Sequence, residues 1–140
     1  MIVLDTNVVS ELLRPVPEPR VVAWVDEQPA ADLFLTAMTV GELLARVALL
    51  ENGARRRRLA ARIAVLVETE FAERLLPFDG AAAVEYARVI ALRRRLGAPI
   101  STADAVIAAT AAAAGATLAT RNTGDFVHLG LGVVDPWSEA

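Results

Sequence analysis

The chain opens on the stretch that decides its fold, Met1-Ile2-Val3-Leu4-Asp5-Thr6-Asn7. A short apolar run with β-branched side chains and a polar exit is typical of a strand buried on both faces, as in a parallel sheet, although periodicity alone does not separate it from a buried helix. In open parallel sheets, ligands bind in the crevice outside the carboxyl ends of the strands. Asp5 therefore stands where chemistry is expected.

The rest of the chain alternates strands with helices, which predicts an α/β sandwich with a mostly parallel sheet of four or five strands. The other predicted strands are Leu33–Leu35, Leu76–Phe78, Ala116–Thr120 and Gly132–Val134. The predicted helices are Asn7–Arg14, Arg20–Gln28, Val40–Leu50, Ala54–Arg74, Ala81–Leu96 and Ser101–Ala114. With no repeat or linker in its 140 residues, the chain is expected to form one domain over residues 1–140.

Composition narrows the classes of protein. The sequence has no cysteine, which excludes a disulfide framework and a thiolate metal site, and its one histidine makes a zinc site unexpected. The start lacks the basic flank of a signal peptide, and the Ala-rich stretch Ala103–Ala119 contains Asp104 and is too weakly apolar for a membrane span. A cytoplasmic protein without a membrane partner is expected.

The charge is acidic overall but locally basic. The net charge of −3 taken alone argues against a nucleic-acid binder, yet all 14 basic residues are arginine. Seven of them fall in two runs, Arg55–Arg58 and Arg93, Arg94 and Arg95. Arginine binds phosphate bidentately, so the second run is a candidate RNA contact, while the alternative for both runs is a solvated helix face.

Four acids stand where a strand exit meets a helix start or a loop, and each has an ordinary structural explanation. The segments Thr39-Val40-Gly41-Glu42 and Ser101-Thr102-Ala103-Asp104 match the capping box, in which a hydroxyl caps the helix and the acid reaches back. Asp5 could cap the first helix, and Asp125 could form an Asx-turn in its Gly-containing loop.

The four acids together indicate a metal. Carboxylates gathered at one sheet edge repel one another and raise each other's pKa unless a cation lies between them. All-oxygen ligation suits Mg²⁺ or Mn²⁺, and an ion held this way activates water for phosphodiester hydrolysis. The aspartyl-phosphate phosphatases and receiver domains fit less well, because Asn7 replaces the second acid of the phosphatases and the chain has no lysine.

The motifs resemble the PIN-domain nucleases and, within them, the VapC toxins of bacterial toxin–antitoxin pairs, including the FitB-like branch. The resemblance covers nearly the whole chain and rests on the segments Ile2–Asn7, Thr39–Leu43, Asp104–Thr110 and Leu118–Asn122, followed by Asp125-Phe126. It implies a PIN-like three-layer α/β/α fold and a Mg²⁺- or Mn²⁺-dependent endoribonuclease. Its acidic cluster would be Asp5, Glu42, Asp104 and Asp125.

The resemblance also implies roles and partners. Asp5 and Asp104 are expected to bind the metal most directly, Glu42 to bind it or to orient the attacking water, and Asp125 to act through water or at a second ion. Thr6, Asn7, Thr120 and Asn122 match the supporting polar positions of the family. The expected partners are RNA, a second copy of the chain and a small DNA-binding antitoxin of the VapB type.

Two alternatives stay open at the level of sequence. The chain could be a weakly or non-catalytic PIN subunit of a DNA-binding regulatory complex, as FitB-like relatives suggest. It could also be a DNA-directed nuclease of the same fold.

Overall fold

The computed structural model describes residues 1–138 of the chain. These residues form five strands, which are β1 (Ile2–Leu4), β2 (Leu33–Thr36), β3 (Leu75–Leu76), β4 (Thr117–Ala119) and β5 (Val133–Val134). They form six α-helices, which are α1 (Thr6–Leu12), α2 (Pro19–Glu27), α3 (Ala37–Ala48), α4 (Ala54–Val65), α5 (Gly80–Arg95) and α6 (Thr102–Ala113). The last two residues of the predicted domain lie outside the described range. Within it, no helix is long and apolar enough to cross a membrane.

The strands form one sheet in the order β3-β2-β1-β4-β5, and every pairing is parallel. This confirms the α/β prediction. Each strand sends alternate side chains to opposite faces, and both faces are buried, because helices join successive parallel strands and must pack on the sheet. The result is a three-layer sandwich.

The two faces of the sheet carry two separate cores. Leu4 and Leu35 belong to the core that includes residues of α1, α2, α3 and α4. Val3 and Leu118 belong to the other core, which α5 and α6 cover, and Phe34 packs against it. The alternation of Val3 and Leu4 within β1 therefore places the first strand at the centre of both cores.

The strand order places a topological switch point beside β1. From β1 the chain runs to β2 on one side, and β4 pairs with β1 on the other side. Crevices at such points lie outside the carboxyl ends of the two strands, where neighbouring connections leave in opposite directions. Asp5 follows β1 and Thr120 follows β4, so both residues lie at this crevice.

The start of α3 differs from the prediction. The hydroxyl of Thr36, at the end of β2, accepts the Thr39 backbone N–H at 3.1 Å and caps the helix, so that the helix begins at Ala37. Thr39 is then a fully buried residue inside the first turn. The prediction that Thr39 caps the helix and pairs with Glu42 in a capping box is wrong.

The region after α4 also differs from the prediction. The helix expected over Ala54–Arg74 is α-helical only to Val65 and continues as a wide π-helical turn over Leu66–Glu70. The Arg74 carbonyl then accepts the Leu35 N–H at 3.0 Å, which draws the chain into β3 earlier than predicted. Pairing with β2 thus overrides the helical periodicity of the segment.

Candidate functional site

Asp5 is buried at the end of β1, with 3% of its surface exposed. Its Oδ1 accepts the Thr6 backbone N–H at 2.8 Å, which confirms that Asp5 caps α1. Its Oδ2 accepts the Thr120 hydroxyl at 2.7 Å and the Asn7 amide at 3.3 Å. Because a carboxylate oxygen has two acceptor positions, Oδ1 keeps one of them available to a ligand.

The supporting residues tie the ends of β1 and β4 together. The Asn7 Nδ2 donates to Thr120 Oγ1 at 3.2 Å, and the Asn7 Oδ1 accepts the Arg121 backbone N–H at 3.3 Å. Thr120 Oγ1 also accepts the backbone N–H of Asn122 at 3.1 Å. Asn7 and Thr120 thus orient Asp5 through their side chains, whereas Asn122 contributes its backbone.

Glu42 lies in the second turn of α3 and is held by Thr6. The Thr6 hydroxyl donates to Glu42 Oε1 at 2.7 Å and contacts the Thr39 hydroxyl at 3.0 Å. Since the one Thr6 hydroxyl proton goes to the carboxylate, Thr39 must donate to Thr6. The Thr36 hydroxyl in turn donates to Thr39 at 3.3 Å.

These contacts define a hydroxyl relay, Thr36 to Thr39 to Thr6, in which each hydroxyl donates to the next and the last donates to Glu42. Thr36 and Thr39 are fully buried. Each donor polarises the next along such a chain. The relay therefore holds the Glu42 carboxylate toward the first turn of α1.

Asp104 lies in the first turn of α6 and is partly buried. The Ser101 hydroxyl accepts the Asp104 backbone N–H at 3.2 Å, which confirms Ser101 as the helix cap. The other half of the capping box does not form, because the Asp104 carboxylate does not accept the Ser101 backbone N–H, although the Ser101 hydroxyl lies close enough to lower the pKa of Asp104. That carboxylate is left to the cleft.

The acids act on each other electrostatically. Burial raises the pKa of the Asp5 carboxyl above its ordinary value, and the charges of Asp104 and Glu42 raise it further, against the hydrogen bonds from its neighbours. Burial also raises the pKa of Asp104, and the charges of Asp125 and Glu42 raise it further, against the hydrogen bond with the Ser101 side chain. Carboxylates that raise each other's pKa lie near one another, and a cation bound between them would offset their repulsion.

Asp125 lies near enough to Asp104 for its charge to act on that carboxyl. It ends a short 3₁₀ turn, Thr123–Asp125, after β4, and its side chain is exposed. The Asp125 backbone N–H donates to the Asn122 carbonyl at 3.0 Å, while its carboxylate accepts no hydrogen bond from residues 1–138. The Asx-turn explanation is thus not supported, and the contact with the other acids is through charge.

Arg93 supports that turn and was not recognised from the sequence as a structural residue. Its side chain is buried, with Nε donating to the Ala98 carbonyl at 2.7 Å and Nη1 donating to the Gly124 carbonyl at 3.3 Å. Arg94 and Arg95 are exposed on α5. The predicted RNA contact therefore stays a prediction for Arg94 and Arg95, while the Arg93 guanidinium is used inside the fold.

The acids face a cleft of about 470 Å³. Its lining includes Asp5, Glu42, Asp104 and three further polar or aromatic residues, Glu11, Arg121 and Trp137. The sequence held one signal for Arg121, which directly follows Thr120, and none for Trp137, which comes from the far end of the chain.

Glu11 is a buried acid of the cleft that serves the fold. Its carboxylate accepts the Glu18 backbone N–H at 3.1 Å and pairs with Arg14 at 3.0 Å. These contacts join the end of α1 to the start of α2. The Glu11 carboxylate is therefore used in contacts within the fold, and we do not expect it to bind a ligand in the cleft.

A second cleft of about 430 Å³ shares part of its lining with the first, through Ser10, Arg14 and Arg46. The Arg46 guanidinium donates to the Ser10 hydroxyl at 2.7 Å. The second cleft is rich in arginine from α4, namely Arg55, Arg58 and Arg62. A positively charged surface thus adjoins the acidic one.

A PIN-domain family model matches residues 2–130 of the chain. The chain belongs to the PIN-domain family. Among curated PIN relatives it is 45% identical over 139 residues to the toxin FitB of Neisseria gonorrhoeae, covering 99% of this chain and 100% of that protein. It is 44% identical over 140 residues to the VapC ribonuclease Y4jK of Sinorhizobium fredii, covering all of both proteins.

Solved structures agree with this membership. A structure described as FitAB bound to an IR36 DNA fragment contains a chain that is 44% identical and superposes with a TM-score of 0.93, covering 100% of this chain and 98% of that one. The five-stranded parallel sheet and its flanking helices are thus those of a PIN domain.

The donor set of this PIN domain fits a hard divalent ion that keeps part of its water. No group of three or more acidic or imidazole side chains in residues 1–138 is arranged to hold an ion by itself. Mg²⁺ is usually bound by one or two carboxylates together with water and substrate phosphates. Asp5 Oδ1 and the Asp104 carboxylate provide such a partial set, and the raised pKa of each carboxyl indicates charge that a cation would offset.

Proposed function

We propose that this PIN domain is a Mg²⁺- or Mn²⁺-dependent endoribonuclease, the toxin of a toxin–antitoxin pair. The observation that carries the proposal is the convergence of Asp5, Glu42 and Asp104 on one cleft at the switch point of the sheet, with Asp125 beside it. The relatives named toxin FitB and VapC ribonuclease support the substrate class.

We assign a separate role in the proposed reaction to each acid of the cluster. The bound ion would lower the pKa of a water molecule and offset negative charge on a phosphoryl oxygen. Asp5, oriented by Thr120, and Asp104 would hold that ion. Glu42, whose Oε1 is occupied by Thr6, would orient the attacking water through its other oxygen. Asp125, being exposed, would act through water or at a second ion.

Positive charge near the cleft supports a polyanionic substrate. Arg14 and Arg46 line both the acidic cleft and the arginine-rich one, so a chain of phosphates could reach the carboxylates along a basic surface. This also gives the run Arg55–Arg58 a role, since Arg55 and Arg58 lie in that second lining.

The direct test is RNA cleavage by the purified chain, freed of any partner, with Mg²⁺ or Mn²⁺. Asp104→Asn should abolish cleavage because it removes a carboxylate of the cluster, while Asp26→Asn, an exposed acid on α2, should cleave like the wild type. Full activity in Asp104→Asn would refute the site. Single-stranded DNA offered beside RNA tests the alternative of a DNA-directed nuclease.

We also propose an antitoxin partner and a homodimer in the cytoplasm. The relative seen in the FitAB–DNA structure supports the partner. The chain leaves large apolar side chains exposed, including Leu49, just after α3, at 87% and Val84, on α5, at 72%, which a second protein chain would cover. Co-expression with the product of a neighbouring short reading frame should give a complex that no longer cleaves RNA, and light scattering should give twice the chain mass without that partner.

A second candidate function is that of a regulatory subunit that cleaves little. The observation that favours it is the likeness to the FitAB complex, which is described as bound to DNA. It predicts that the complex binds operator DNA while the freed chain shows no RNA cleavage above the Asp104→Asn background. Metal-dependent cleavage above that background would exclude it.

A further inference from the structure

Arg121 lines the acidic cleft without forming a salt bridge to its acids. The Arg121 guanidinium carbon lies 5.1 Å from the centroid of the Trp137 ring. Arg121 and Trp137 both line the cleft that contains Asp5 and Asp104, and Arg121 is exposed. Within residues 1–138, the salt bridges involve other arginines.

The backbone holds Arg121 at a fixed place relative to Asp5. The Arg121 N–H donates to Asn7 Oδ1 at 3.3 Å, and the preceding residue, Thr120, donates its hydroxyl to Asp5 at 2.7 Å. The base of the Arg121 side chain is therefore tied to the same hydrogen-bond network that orients the buried acid.

The aromatic partner is fixed from the other end of the chain. The Trp137 backbone N–H donates to Asp135 Oδ1 at 2.9 Å, and the Ser138 N–H donates to the Asp135 carbonyl at 3.2 Å. The Trp137 ring packs on the core beneath α1 and α2. A turn held in this way presents the ring as a rigid support.

Stacking orients the guanidinium and leaves its donors available. The cation–π contact joins the Arg121 guanidinium carbon to the Trp137 ring, and the N–H groups of a guanidinium lie in its own plane, where they can donate to a further partner. Those N–H groups donate to no atom of residues 1–138. A planar fork with open donors matches the oxygens of a phosphate, and the ring reduces the entropy lost on binding.

We propose that Arg121, stacked on Trp137, binds a backbone phosphate of the RNA strand next to the phosphodiester that is cleaved. This rests on the proposed ribonuclease function. The acids of the cleft repel the phosphates of an RNA substrate. A cation that the Trp137 ring holds apart from those acids offsets the repulsion, because its charge remains available to the phosphate.

The binding test uses Asp104→Asn protein and a short fluorescein-labelled single-stranded RNA, followed by anisotropy. Arg121→Gln should weaken binding about tenfold, as expected for one charged hydrogen-bonded contact, and should lower the salt slope by about 0.7. Arg121→Lys should keep the slope and lose several-fold in affinity, because it keeps the charge but not the fork. Arg88→Gln, an exposed arginine on α5, is the control.

The tryptophan gives an independent signal. Trp24 is buried at 8% exposure, so quenching of emission by RNA should come from Trp137. The quenching should disappear in Trp137→Phe and persist in Trp24→Phe. RNA binding with no change in Trp137 emission would contradict the proposal.

In the active background, Arg121→Gln should lower kcat/KM about tenfold while the melting temperature and its increase with Mg²⁺ stay those of the wild type. Unchanged RNA affinity and salt slope would overturn the proposal, as would loss of binding to a protein partner with RNA binding intact. If the wild type cleaves RNA and Arg121→Gln binds it like the parent, only this inference fails. If the wild type cleaves no RNA with either metal, the proposed function fails.

Discussion

Replacing Asp104 with asparagine should stabilise the metal-free protein at neutral pH and remove its response to Mg²⁺. The Asp104 carboxylate interacts with the Ser101 hydroxyl, and the amide oxygen of an asparagine can accept the same hydrogen, so the change keeps this local contact. It removes a charge that repels Glu42 and Asp125. The Ser101 cap remains, because it accepts the backbone N–H of residue 104.

The size of the effect follows from two opposing contributions. Relieving like-charge repulsion at a functional site contributes about 0.5–2 kcal/mol of stability. Removing an acid from the first turn of α6 costs about 0.3–1 kcal/mol of interaction with the helix dipole. The expected balance is a gain of about 0.6 kcal/mol, or an increase in melting temperature of roughly 2 °C for a domain of this size.

The pH dependence of stability predicts the same direction of change for Asp104→Asn. Because the pKa of Asp104 is raised in the folded protein, the folded state holds that proton more tightly than the unfolded chain does. The corresponding stability is fully present below the unfolded pKa of about 3.9 and is lost as the pH rises through the folded pKa. The advantage of Asp104→Asn should therefore be full at neutral pH and vanish in acid.

Thermal unfolding with and without Mg²⁺ measures the effect. At an ion concentration of 100 times Kd, the wild type should gain about 2.7 kcal/mol, so the order of stability should invert when Mg²⁺ is added. Asp26→Asn, away from the cleft, should respond to Mg²⁺ like the wild type. A metal-free Asp104→Asn that is less stable than the wild type, or an equal Mg²⁺ response in both, would refute the reasoning.

Two further substitutions test the supporting contacts. Thr39→Val breaks the hydroxyl relay, so RNA cleavage should fall several-fold and the free energy of unfolding measured in urea should fall by about 1–3 kcal/mol. Thr39→Ser should restore both. In a Glu42→Gln background, Thr39→Val should cause no further loss of cleavage. Arg93→Met removes the donor to the Gly124 carbonyl in the Asp125 turn and to the Ala98 carbonyl after α5, and should cost about 2–5 kcal/mol in thermal unfolding. Arg94→Met should change stability by less than about 0.5 kcal/mol.

The prediction of the fold from sequence worked where local signals agree with the tertiary structure. The apolar run before Asp5 and the Ser101 cap of α6 depend only on neighbours in the chain, and the structure confirms both. It failed where two local solutions were equally good. Thr36 and Thr39 can each cap a helix, and the burial of Thr39 against Thr6 decides between them.

The run Arg93–Arg95 is a second place where local sequence did not predict the structure. The run Arg93–Arg95 looks uniform in the sequence, because neighbouring residues on a helix differ only in direction. In the structure Arg93 points into the protein and binds the Gly124 carbonyl, while Arg94 and Arg95 stay in solvent. Which arginine is buried depends on how α5 packs, and no local pattern contains that information.

The opening stretch and the four acids, in their order along the chain, were enough to predict a parallel α/β fold and an acidic site, because strand burial and helix starts leave local traces. The tertiary structure alone decided that Thr6 binds Glu42, that Thr120 binds Asp5 and that Arg121 stacks on Trp137. Each of these contacts joins residues brought together by the strand order and by helix packing. Their geometry depends on the whole fold rather than on any one segment.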